Sequence, residues 1–437
     1  MSDPESYDVV GVGFGPANLA LAIALREHRS PLGAVFFERQ ASLGRHSDML
    51  VPSAKMQISF LKDLVTFRNP TSRYSFVAYL HAKDRLARFV NKQDFFPTRQ
   101  EFHDYLEWAA AEFTEVVDYG TEVVGLRLPP QAGPTDQVRV DVRTGATTRT
   151  VLTRNVVIST GLVPRMPAGV ERGPRVWHSS ELLGRFGTCD PDKLRRVAVV
   201  GAGQSAAEVV RYLYDRLPTA TVYAIMPSYG YAIADSSPFA NEIFDAAAVD
   251  HYFRGSTRAK DAISRHHRNT NYSAVDDEVI RDLYHRAYND EVGGGRRLEF
   301  LGLYRLAGVE PVADGIGMRV HSLASEQDVD LPVDLVVCAT GYDQMTPTGL
   351  LGALDVHCAR DDRGQYVVGR DYRLLTSPEL RCGIYLQGGT EHTHGLSSSL
   401  LSNLAARSGE IRDSIVASTM VRTGAEHNGH PWPTTRA

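Results

Sequence analysis

The chain has 437 residues, of which 43% are hydrophobic and 23% charged, and its formal net charge is −5. These values are those of an ordinary globular protein of about two to four domains, and they give no electrostatic reason to expect a nucleic acid or an anionic membrane as a partner. No apolar run approaches the roughly 20 residues of a membrane span, and no signal peptide precedes the first predicted strand, so we expect a cytoplasmic protein. The four cysteines form no Cys-x-x-Cys pair, which argues against a zinc ribbon and a dithiol flavin reductase.

The chain opens with a strand–helix–strand unit, predicted at 7–12, 16–27 and 34–38. Its Gly-x-Gly turn is typical of a dinucleotide pyrophosphate bound at a helix N-terminus. There, Gly11 permits the tight turn and Gly13 lets the backbone approach the phosphates. The alternative is a structural glycine turn that binds nothing.

Four further residues refine this first site. Gly15 adds backbone freedom, and Pro16 replaces the third glycine of the usual pattern, which suits a first helical turn because the missing N–H is no loss there. Asn18 offers an amide to the ligand. Glu38 ends the second strand, where a carboxylate accepts hydrogen bonds from ribose hydroxyls and repels a 2′-phosphate. This site is therefore predicted to bind FAD or NAD rather than NADP.

The next part of the chain is predicted to contain a long functional loop with short helices at 44–75, an amphipathic helix at 99–114 and short strands within 122–158. The last of these strands ends in Thr-Gly, as does the buried strand predicted at 334–342. These two strands bracket a second nucleotide-binding unit, which implies that this unit is inserted into the first domain.

The second unit begins at Arg195 and repeats the strand, Gly-x-Gly turn and helix pattern. Its turn and first helical residues are Gly201, Gly203, Gln204, Ser205 and Ala206. The glutamine and the serine are expected to donate to phosphate or ribose at the helix start. The following strand, at 221–227, ends without an acidic residue, which allows NADPH. It does not prove NADPH, because no arginine stands at the strand end either.

The polar, aromatic segment 235–290 is interpreted as a small helical insertion, and a strand at 383–389 precedes a long helix at 396–418 and a tail from about 421. We therefore predict an α/β fold with two dinucleotide-binding Rossmann-like domains and a small, mainly helical substrate-binding insertion. The predicted division is an FAD-binding domain at 1–190 and 334–437, an NADPH-binding domain at 191–235 and 291–333, and the substrate-binding segment at 236–290.

Two dinucleotide sites in one chain indicate electron transfer from a nicotinamide to a flavin. The segment SAKMQISFLKDLVTFRNPTSRYSFVAYL, at 53–80, resembles the corresponding loop of the microbial amine N-hydroxylases, the flavin-dependent ornithine and lysine monooxygenases of hydroxamate siderophore pathways. The resemblance continues, in order, through GVGFGPANL, DFFPTRQEFHDYLEWAA, STGLVPRMP, VVGAGQSAAEV, PFANEIFD, HRNTNYS, ATGYD and HTHGLSSSLLSNLA. The chain length and the residues of these motifs are closer to the ornithine branch than to the lysine branch.

The resemblance implies an FAD-dependent NADPH N-monooxygenase. It would hydroxylate the side-chain amine of L-ornithine through a flavin hydroperoxide, with dioxygen as co-substrate and NADP+ retained, for siderophore or related secondary-metabolite biosynthesis. It also implies a homo-oligomer, a dimer or a tetramer. L-Lysine or a diamine is the alternative substrate, and a non-catalytic regulator that binds NADPH and FAD is the alternative from a different class.

The resemblance also implies roles for individual residues. Met56 and Gln57 would lie near the flavin ring, and Lys62 would pair with the substrate carboxylate. Asn241 would bind the α-amino or carboxylate group of the substrate, and Asn271 would contact both nicotinamide and substrate. Gln57 and Asn271 are the predicted catalytic residues, and no metal site is expected. The other predicted substrate contacts are Phe244, Leu396 and Ser397 or Ser398, and the other predicted cofactor contacts are Arg39, Arg45, His46, Val123, Tyr272, Ser273, Thr340, Gly341, Gly395 and Leu396.

Two positions depart from the family pattern. Arg45 stands where many relatives carry an aromatic residue, which would alter packing at the flavin edge. Pro227 stands where relatives often place an arginine that binds the 2′-phosphate of NADPH, and the candidates to replace it are Tyr229, Tyr231 or another arginine. The His-Thr-His sequence at 392–394 has the spacing of metal ligands, but we interpret it as structural or cofactor-lining.

Overall fold

The computed structural model describes residues 4–28, 32–44, 49–52, 54–130, 133–267, 270, 272–312 and 315–423. The strands of this part are β1 (Ser6–Val12), β2 (Ala34–Glu38), β3 (Val117–Tyr119), β4 (Thr121–Arg127), β5 (Val138–Thr144), β6 (Thr147–Ile158), β7 (Leu162–Pro164), β8 (Val176–His178), β9 (Arg196–Val200), β10 (Thr221–Met226), β11 (Ala232–Ile233), β12 (Ala274–Val275), β13 (Leu298–Gly302), β14 (Tyr304–Val312), β15 (Gly315–Ser322), β16 (Asp328–Val333), β17 (Leu335–Cys338), β18 (Tyr342–Gln344) and β19 (Gly383–Leu386). Its α-helices are α1 (Pro16–Glu27), α2 (Phe76–Ala82), α3 (Leu86–Asn91), α4 (Arg99–Ala110), α5 (Leu182–Phe186), α6 (Gln204–Arg216), α7 (Pro238–Asn241), α8 (Ala246–Arg254), α9 (Thr257–His266), α10 (Asp277–Val292), α11 (Thr348–Leu351), α12 (Glu391–His394) and α13 (Leu404–Thr423).

The first strand–helix–strand unit forms the centre of a seven-stranded sheet. β1 lies between β2 and β6, and it runs parallel to both. The first half of β6 also pairs antiparallel with β5, and its second half pairs parallel with β19. Helix α1 begins at Pro16 and packs its buried Leu19 and Ile23 into the core on one face of this sheet. The three elements predicted for this unit are confirmed.

The second unit forms a sheet of five parallel strands in the order β13-β10-β9-β17-β8. Helices α6 and α10 share a core with this sheet, in which Val209 and Leu213 of α6 meet Val279 and Leu283 of α10. The α/β fold with two dinucleotide-binding sheets is therefore confirmed. A separate antiparallel sheet, β14-β15-β16, connects β13 to β17.

Some of the predicted domain boundaries fall at other positions in the structure. β17, predicted to return the chain to the first domain, pairs with β9 and β8 of the second sheet, so the boundary at 334 lies one strand too early. β8 also belongs to that sheet, which therefore begins before residue 190. Helix α10 packs against α6 and β13 rather than with the helical insertion. A Thr-Gly turn marks the end of a strand but does not reveal which sheet the strand joins.

Helices α7, α8 and α9 form the small helical insertion between β11 and β12. The insertion reaches the C-terminal part of the chain through Tyr252 of α8, whose ring lies beside Gly395. No helix within the described ranges is both long enough and apolar enough to cross a membrane.

Two predicted helices end or begin elsewhere. The helix predicted at 99–114 ends at Ala110 and continues as a 3₁₀ turn over Ala111–Val116. The long helix predicted from Leu396 begins only at Leu404, after two 3₁₀ turns separated by the extended backbone of Leu400. Serine side chains compete with α-helical hydrogen bonding, which explains why this serine-rich stretch forms 3₁₀ turns instead of an α-helix. Residues 424–437 of the predicted tail lie outside the described residues.

The long loop predicted at 44–75 is confirmed, but its described part is organised by turns and contains no α-helix. Asp63, which is 2% exposed, holds these turns together. Its carboxylate accepts hydrogen bonds from the backbone N–H groups of Val65 at 2.9 Å, Thr66 at 2.7 Å and Phe76 at 2.7 Å, and from the Thr66 hydroxyl at 2.9 Å. Asp63 therefore fixes the conformation of the loop immediately after Lys62.

We expect Asp63→Asn to lower the free energy of unfolding by about 1–3 kcal/mol, because one amide NH2 would face a buried N–H group that then lacks an acceptor. Urea unfolding followed by circular dichroism measures this change. Asp330→Asn is the matched control, since the Asp330 side chain is 85% exposed, and we expect it to change stability by less than about 0.5 kcal/mol. Equal stability of the two variants would contradict the role given to Asp63.

Candidate active site

A cavity of about 710 Å³ lies where the two sheets, the helical insertion and the C-terminal segment meet. Its wall is built from the loop 49–62, from Ser205 and 274–278 of the second unit, from 234–244 and from 400–402. The predicted site residues that it brings together are Met56, Gln57, Lys62, Ser205, Asn241 and Phe244. Cavities of this size at a junction between domains are typical ligand sites.

The glycines of the first turn have different structural roles. Gly13 has a φ of +82°, and a Cβ atom there would lie 2.5 Å from the Ser159 carbonyl oxygen, so only glycine fits. Gly11 lies inside β1, where a Cβ atom would lie 2.1 Å from the Phe36 ring, so it permits close packing rather than the tight turn that we predicted. Gly15 is the N-cap residue of α1 and offers no side chain to the N–H groups of the first helical turn.

Glu38 lies beside this turn at the end of β2. It is half-buried, and its two oxygens accept hydrogen bonds from the backbone N–H groups of Phe14 at 2.8 Å and Gln40 at 2.9 Å. A carboxylate has about four acceptor positions, so both oxygens keep capacity for ribose hydroxyls. Together with the uncapped N-terminus of α1, this arrangement fits the adenosine and pyrophosphate of FAD.

Asn18 differs from its predicted role as a ligand donor. Its side chain is fully buried, and its amide NH2 donates to the Gly13 carbonyl at 2.7 Å. Its amide oxygen accepts a hydrogen bond from Gln387 at 3.1 Å. Asn18 therefore supports the glycine turn from behind instead of facing the ligand.

The second turn repeats the geometry of the first. Gly201 has a φ of +151°, and a Cβ atom there would lie 2.4 Å from the Ala339 carbonyl oxygen. Gly203 is the N-cap residue of α6 and, like Gly15 in the first turn, has no capping side chain. Ser205 lies in the first helical turn and lines the cavity. The helix start is thus open to a second phosphate group.

Gln204, predicted to donate to a phosphate, is instead bonded within the protein. Its amide NH2 donates to Glu208 at 2.9 Å and to Asp276 at 3.0 Å, and its amide oxygen accepts from the Asp276 backbone N–H at 2.9 Å. Asp276 also accepts from the Gln57 amide at 3.3 Å. Glu208 pairs with Arg99 of α4, with 3.0 Å between Nη1 and Oε2. A polar network thus links the helix of the second turn to the loop and helix of the first unit.

Lys62 projects toward the helical insertion. Its Nζ lies 3.7 Å from Asp245 Oδ1 and 6.0 Å from the centre of the Phe244 ring, and its side chain is 19% exposed. Asn241, at the end of α7, lines the same cavity and donates from its amide to the Ser236 carbonyl at 2.9 Å. A cation and an amide that line the same cavity are groups suited to binding a carboxylate.

The serine-rich turn contributes residues other than those predicted. Leu396, Ser397 and Ser398 are buried and do not line the cavity, whereas Leu400, Leu401 and Ser402 do. Ser402 was therefore not predicted as a contact. Its buried hydroxyl has no hydrogen-bond partner among the described residues. Its signal in the sequence was a serine in the HTHGLSSSLLSNLA segment, but nothing there separated it from its neighbours.

The remaining predicted cofactor contacts that the structure describes do not line the cavity. Ser273 has a φ of +57° and lies next to Gly203, and the Tyr272 hydroxyl donates to Glu391. The carbonyl of Thr340 accepts from Arg165 at 3.0 Å, and Gly341 has a φ of +81°. Val123 lies in β4, Arg39 is exposed after β2, and Gly395 has a φ of +77°. Arg45, His46 and Asn271 lie outside the described residues.

The two histidines of the 392–394 segment have partners within the protein. His392 hydrogen-bonds to the Tyr366 carbonyl at 2.8 Å, and the His394 ring stacks on Tyr372 with 4.1 Å between ring centres. Burial lowers the pKa of His394 to about 4, so its imidazole is neutral at neutral pH. No cluster of metal-binding side chains is found in the part of the chain that the structure describes.

Sequence reasoning missed several charged residues of the cavity wall. Lys55 pairs with Glu278 at 3.0 Å, and Arg99 and Asp276 belong to the polar network described above. Arg99 is the first residue of the helix predicted at 99–114, and Asp276 lies within the segment interpreted as a helical insertion, so neither was predicted as a site residue. These residues line one cavity only because the tertiary structure brings the two sheets together.

Comparisons with known proteins place the chain in a family. The sequence profile of the family described as L-lysine 6-monooxygenase/L-ornithine 5-monooxygenase matches residues 5–344. The L-ornithine N(5)-monooxygenase of Pseudomonas aeruginosa is 38% identical over 418 residues, which cover 94% of this chain and 93% of the relative.

Two solved structures have the same architecture. The ornithine N-hydroxylase KtzI of Kutzneria sp. 744, with reduced FAD, NADP+ and L-ornithine, is 62% identical with a TM-score of 0.93, covering 95% of this chain and 100% of that one. The ornithine hydroxylase PvdA of Pseudomonas aeruginosa is 36% identical with a TM-score of 0.89 over the same shares. The resemblance inferred from the sequence is confirmed, and this chain belongs to the L-lysine 6-monooxygenase/L-ornithine 5-monooxygenase family.

Proposed function

We propose that this chain hydroxylates the side-chain amine of L-ornithine, with NADPH as electron donor, dioxygen as co-substrate and FAD as bound cofactor. The observation that carries this function is the shared cavity, where Lys62 and Asn241 face the same space as Met56, Gln57 and Ser205. An amino-acid site thus adjoins both the predicted flavin side and the nicotinamide side. The ornithine activity of the relatives that are 38% and 62% identical supports the same substrate.

FAD would be held by the first unit. The turn at Gly13 and the uncapped first turn of α1 would receive the pyrophosphate, and Glu38 would accept the ribose hydroxyls. FAD supplies the electron transfer and oxygen activation that no amino-acid side chain performs. The protein must therefore bind and orient the reactants and exclude water from them.

NADPH would be held by the second unit, at Gly203 and Ser205. β10 is followed by Pro227, so another group would have to meet the 2′-phosphate. The Tyr231 hydroxyl is buried and its ring packs edge-on against Phe300, which turns it away from this role. Tyr229 is 89% exposed beyond the end of β10 and is the better candidate. The preference for NADPH over NADH stays a prediction.

The substrate site would fix one end of ornithine and leave the other end free to react. Lys62 and Asn241 would hold the amino-acid end, so that the side-chain amine extends along the apolar wall formed by Met56 and Leu401. An ammonium group has no lone pair, and the free amine has a pKa of about 10.4. Apolar surroundings disfavour the charged form and therefore favour the reactive neutral amine. The same side chains keep water away from the reacting atoms.

We further propose that the chain acts in the cytoplasm and as a homo-oligomer. All four cysteines are free thiols, which fits the reducing compartment that also supplies NADPH. Tyr284, Tyr288 and Val292 are exposed at four-residue spacing on one face of α10, and this apolar stripe would suit contact with a second copy. The product, N-hydroxyornithine, would provide a hydroxamate precursor for siderophores or related metabolites.

Substrate-dependent dioxygen uptake tests the proposed reaction. With NADPH present, we expect L-ornithine to give faster uptake and more hydroxylated product than L-lysine or putrescine. Mass spectrometry of the product separates hydroxylation from simple release of hydrogen peroxide. Faster hydroxylation of L-lysine would overturn the ornithine assignment, and a flavin-containing protein that takes up no dioxygen with any of the three amines would favour the non-catalytic alternative.

Lys62→Met is expected to raise the KM for L-ornithine about 10- to 100-fold, because a hydrogen bond to a charged group contributes about 1.5–3 kcal/mol. The rate of flavin reduction by NADPH, measured by stopped-flow absorbance, should change less than about twofold. Lys83→Met removes an exposed lysine and is the matched control. Loss of flavin reduction in Lys62→Met would assign Lys62 to a cofactor site instead.

Two glycine substitutions test the assignment of the two turns. Gly13→Ala is expected to yield protein without FAD, because its Cβ would collide with the Ser159 carbonyl. Gly201→Ala should retain FAD and its reduction by dithionite, yet lose most of its reduction by NADPH. Gly349→Ala is the control, since a Cβ atom there meets nothing within 4 Å. Loss of FAD in Gly201→Ala alone would exchange the two assignments.

A further inference from the structure

Asp245 is the carboxylate next to the predicted substrate cation. Its Oδ1 lies 3.7 Å from Lys62 Nζ, and its side chain is 50% exposed. Within the described ranges it is the one carboxylate in ion-pair distance of Lys62, and no other hydrogen bond or ion pair is formed by its side chain. Lys62 and Asp245 thus present opposite charges side by side.

The backbone conformation of Asp245 would allow its carboxylate to cap a helix instead of facing Lys62. Asp245 is the N-cap residue of α8, with φ −84° and ψ 154°, the extended conformation in which an aspartate normally caps its helix. Its side chain nevertheless makes no capping hydrogen bond, and the Ala248 backbone N–H donates to the Asp245 carbonyl at 3.1 Å instead. The carboxylate therefore lies beside Lys62 and does not accept a hydrogen bond from the first turn of α8.

Asp245 follows the lining residue Phe244, and the three carboxylates that line the cavity itself are already engaged. Asp276 accepts from Gln57 and Gln204, and Glu278 pairs with Lys55. Asp235 accepts from the Ser237 backbone N–H at 3.1 Å. Asp245 is therefore the acidic group best placed to receive a cation that arrives together with a carboxylate at Lys62.

We propose that Lys62 and Asp245 together recognise the zwitterionic end of an α-amino acid, with Lys62 binding the carboxylate and Asp245 binding the α-ammonium group. This assignment rests on the proposed function, in which Lys62 receives the carboxylate of ornithine. The two charged groups of an α-amino acid are attached to one carbon atom, so they reach two adjacent protein charges at once. A carboxylate without the ammonium group would separate Lys62 from Asp245 and then be repelled by Asp245.

This pair of contacts gives the site a preference for α-amino acids. A diamine carries no carboxylate for Lys62, and an ω-amino acid carries no α-ammonium group for Asp245. Only a zwitterion leaves both protein charges paired, which keeps the site neutral after binding. Asp245 is in this sense a specificity-determining residue rather than a catalytic one.

The test compares L-ornithine with 5-aminopentanoate, which has the same chain and carboxylate but lacks the α-amino group. In Asp245→Asn and Asp245→Ser, we expect the KM for L-ornithine to rise at least tenfold. The inhibition constant of 5-aminopentanoate against L-ornithine should stay within twofold or fall. Asparagine and serine are both good N-cap residues, so neither substitution should destabilise α8. Asp261→Asn, which removes another half-exposed ion pair on α9, is the matched control.

An unchanged or lowered KM for L-ornithine in both variants would overturn the proposal, because Asp245 would then only compete with substrate for Lys62. An equal rise in both constants would also overturn it, since the effect would not depend on the α-amino group. Flavin absorbance and flavin reduction by NADPH confirm that each variant is folded and loaded. Failure of the proposed function is distinguishable, because the unsubstituted protein would then show no ornithine-dependent dioxygen uptake.

Discussion

The relative position of the two nucleotide-binding sheets depends on one buried carboxylate. Glu208 of α6 has no solvent exposure, and its partner Arg99 belongs to α4 in the other part of the chain. Burial raises the pKa of the Glu208 carboxyl, whereas the Arg99 guanidinium lowers it. A buried charge without a partner is strongly unfavourable, so the two helices are held in the arrangement that keeps this pair together.

The pair of Glu208 and Arg99 is part of a larger polar network beside the cavity. Gln204 joins Glu208 to Asp276, and Asp276 accepts a hydrogen bond from Gln57 on the loop of the first unit. The start of α6, where a nicotinamide dinucleotide would bind, is thereby connected to the loop that carries Met56. A displacement of one unit relative to the other would break hydrogen bonds in this network, so the network holds the two units in one arrangement around the cavity.

A second buried network supports the other end of the site. Arg407 is 2% exposed, donates to the Ser398 carbonyl and donates to the Gln387 amide oxygen at 3.3 Å. Gln387 in turn donates to the Ala17 carbonyl and to Asn18, beside the first glycine turn. The serine-rich turn and the first glycine turn are therefore connected by hydrogen bonds through the interior of the protein. This explains why the side chain of Asn18, predicted to touch a ligand, is directed inward.

The sequence by itself determined the local elements and the chemistry of the two turns. The Gly-x-Gly turns and Glu38 at its strand end were sufficient to predict two dinucleotide sites, and the segment at 53–80 with the motifs that follow it was sufficient to predict the family. The structure adds the reason for Gly13 and Gly201, since a Cβ atom at either position would meet a carbonyl oxygen. Only the tertiary structure decided which groups face the cavity. Gln204 is hydrogen-bonded to Asp276, Ser402 lines the cavity where Ser397 and Ser398 do not, and Asp245 lies beside Lys62. These arrangements depend on residues far apart in the chain, so no local sequence pattern predicts them.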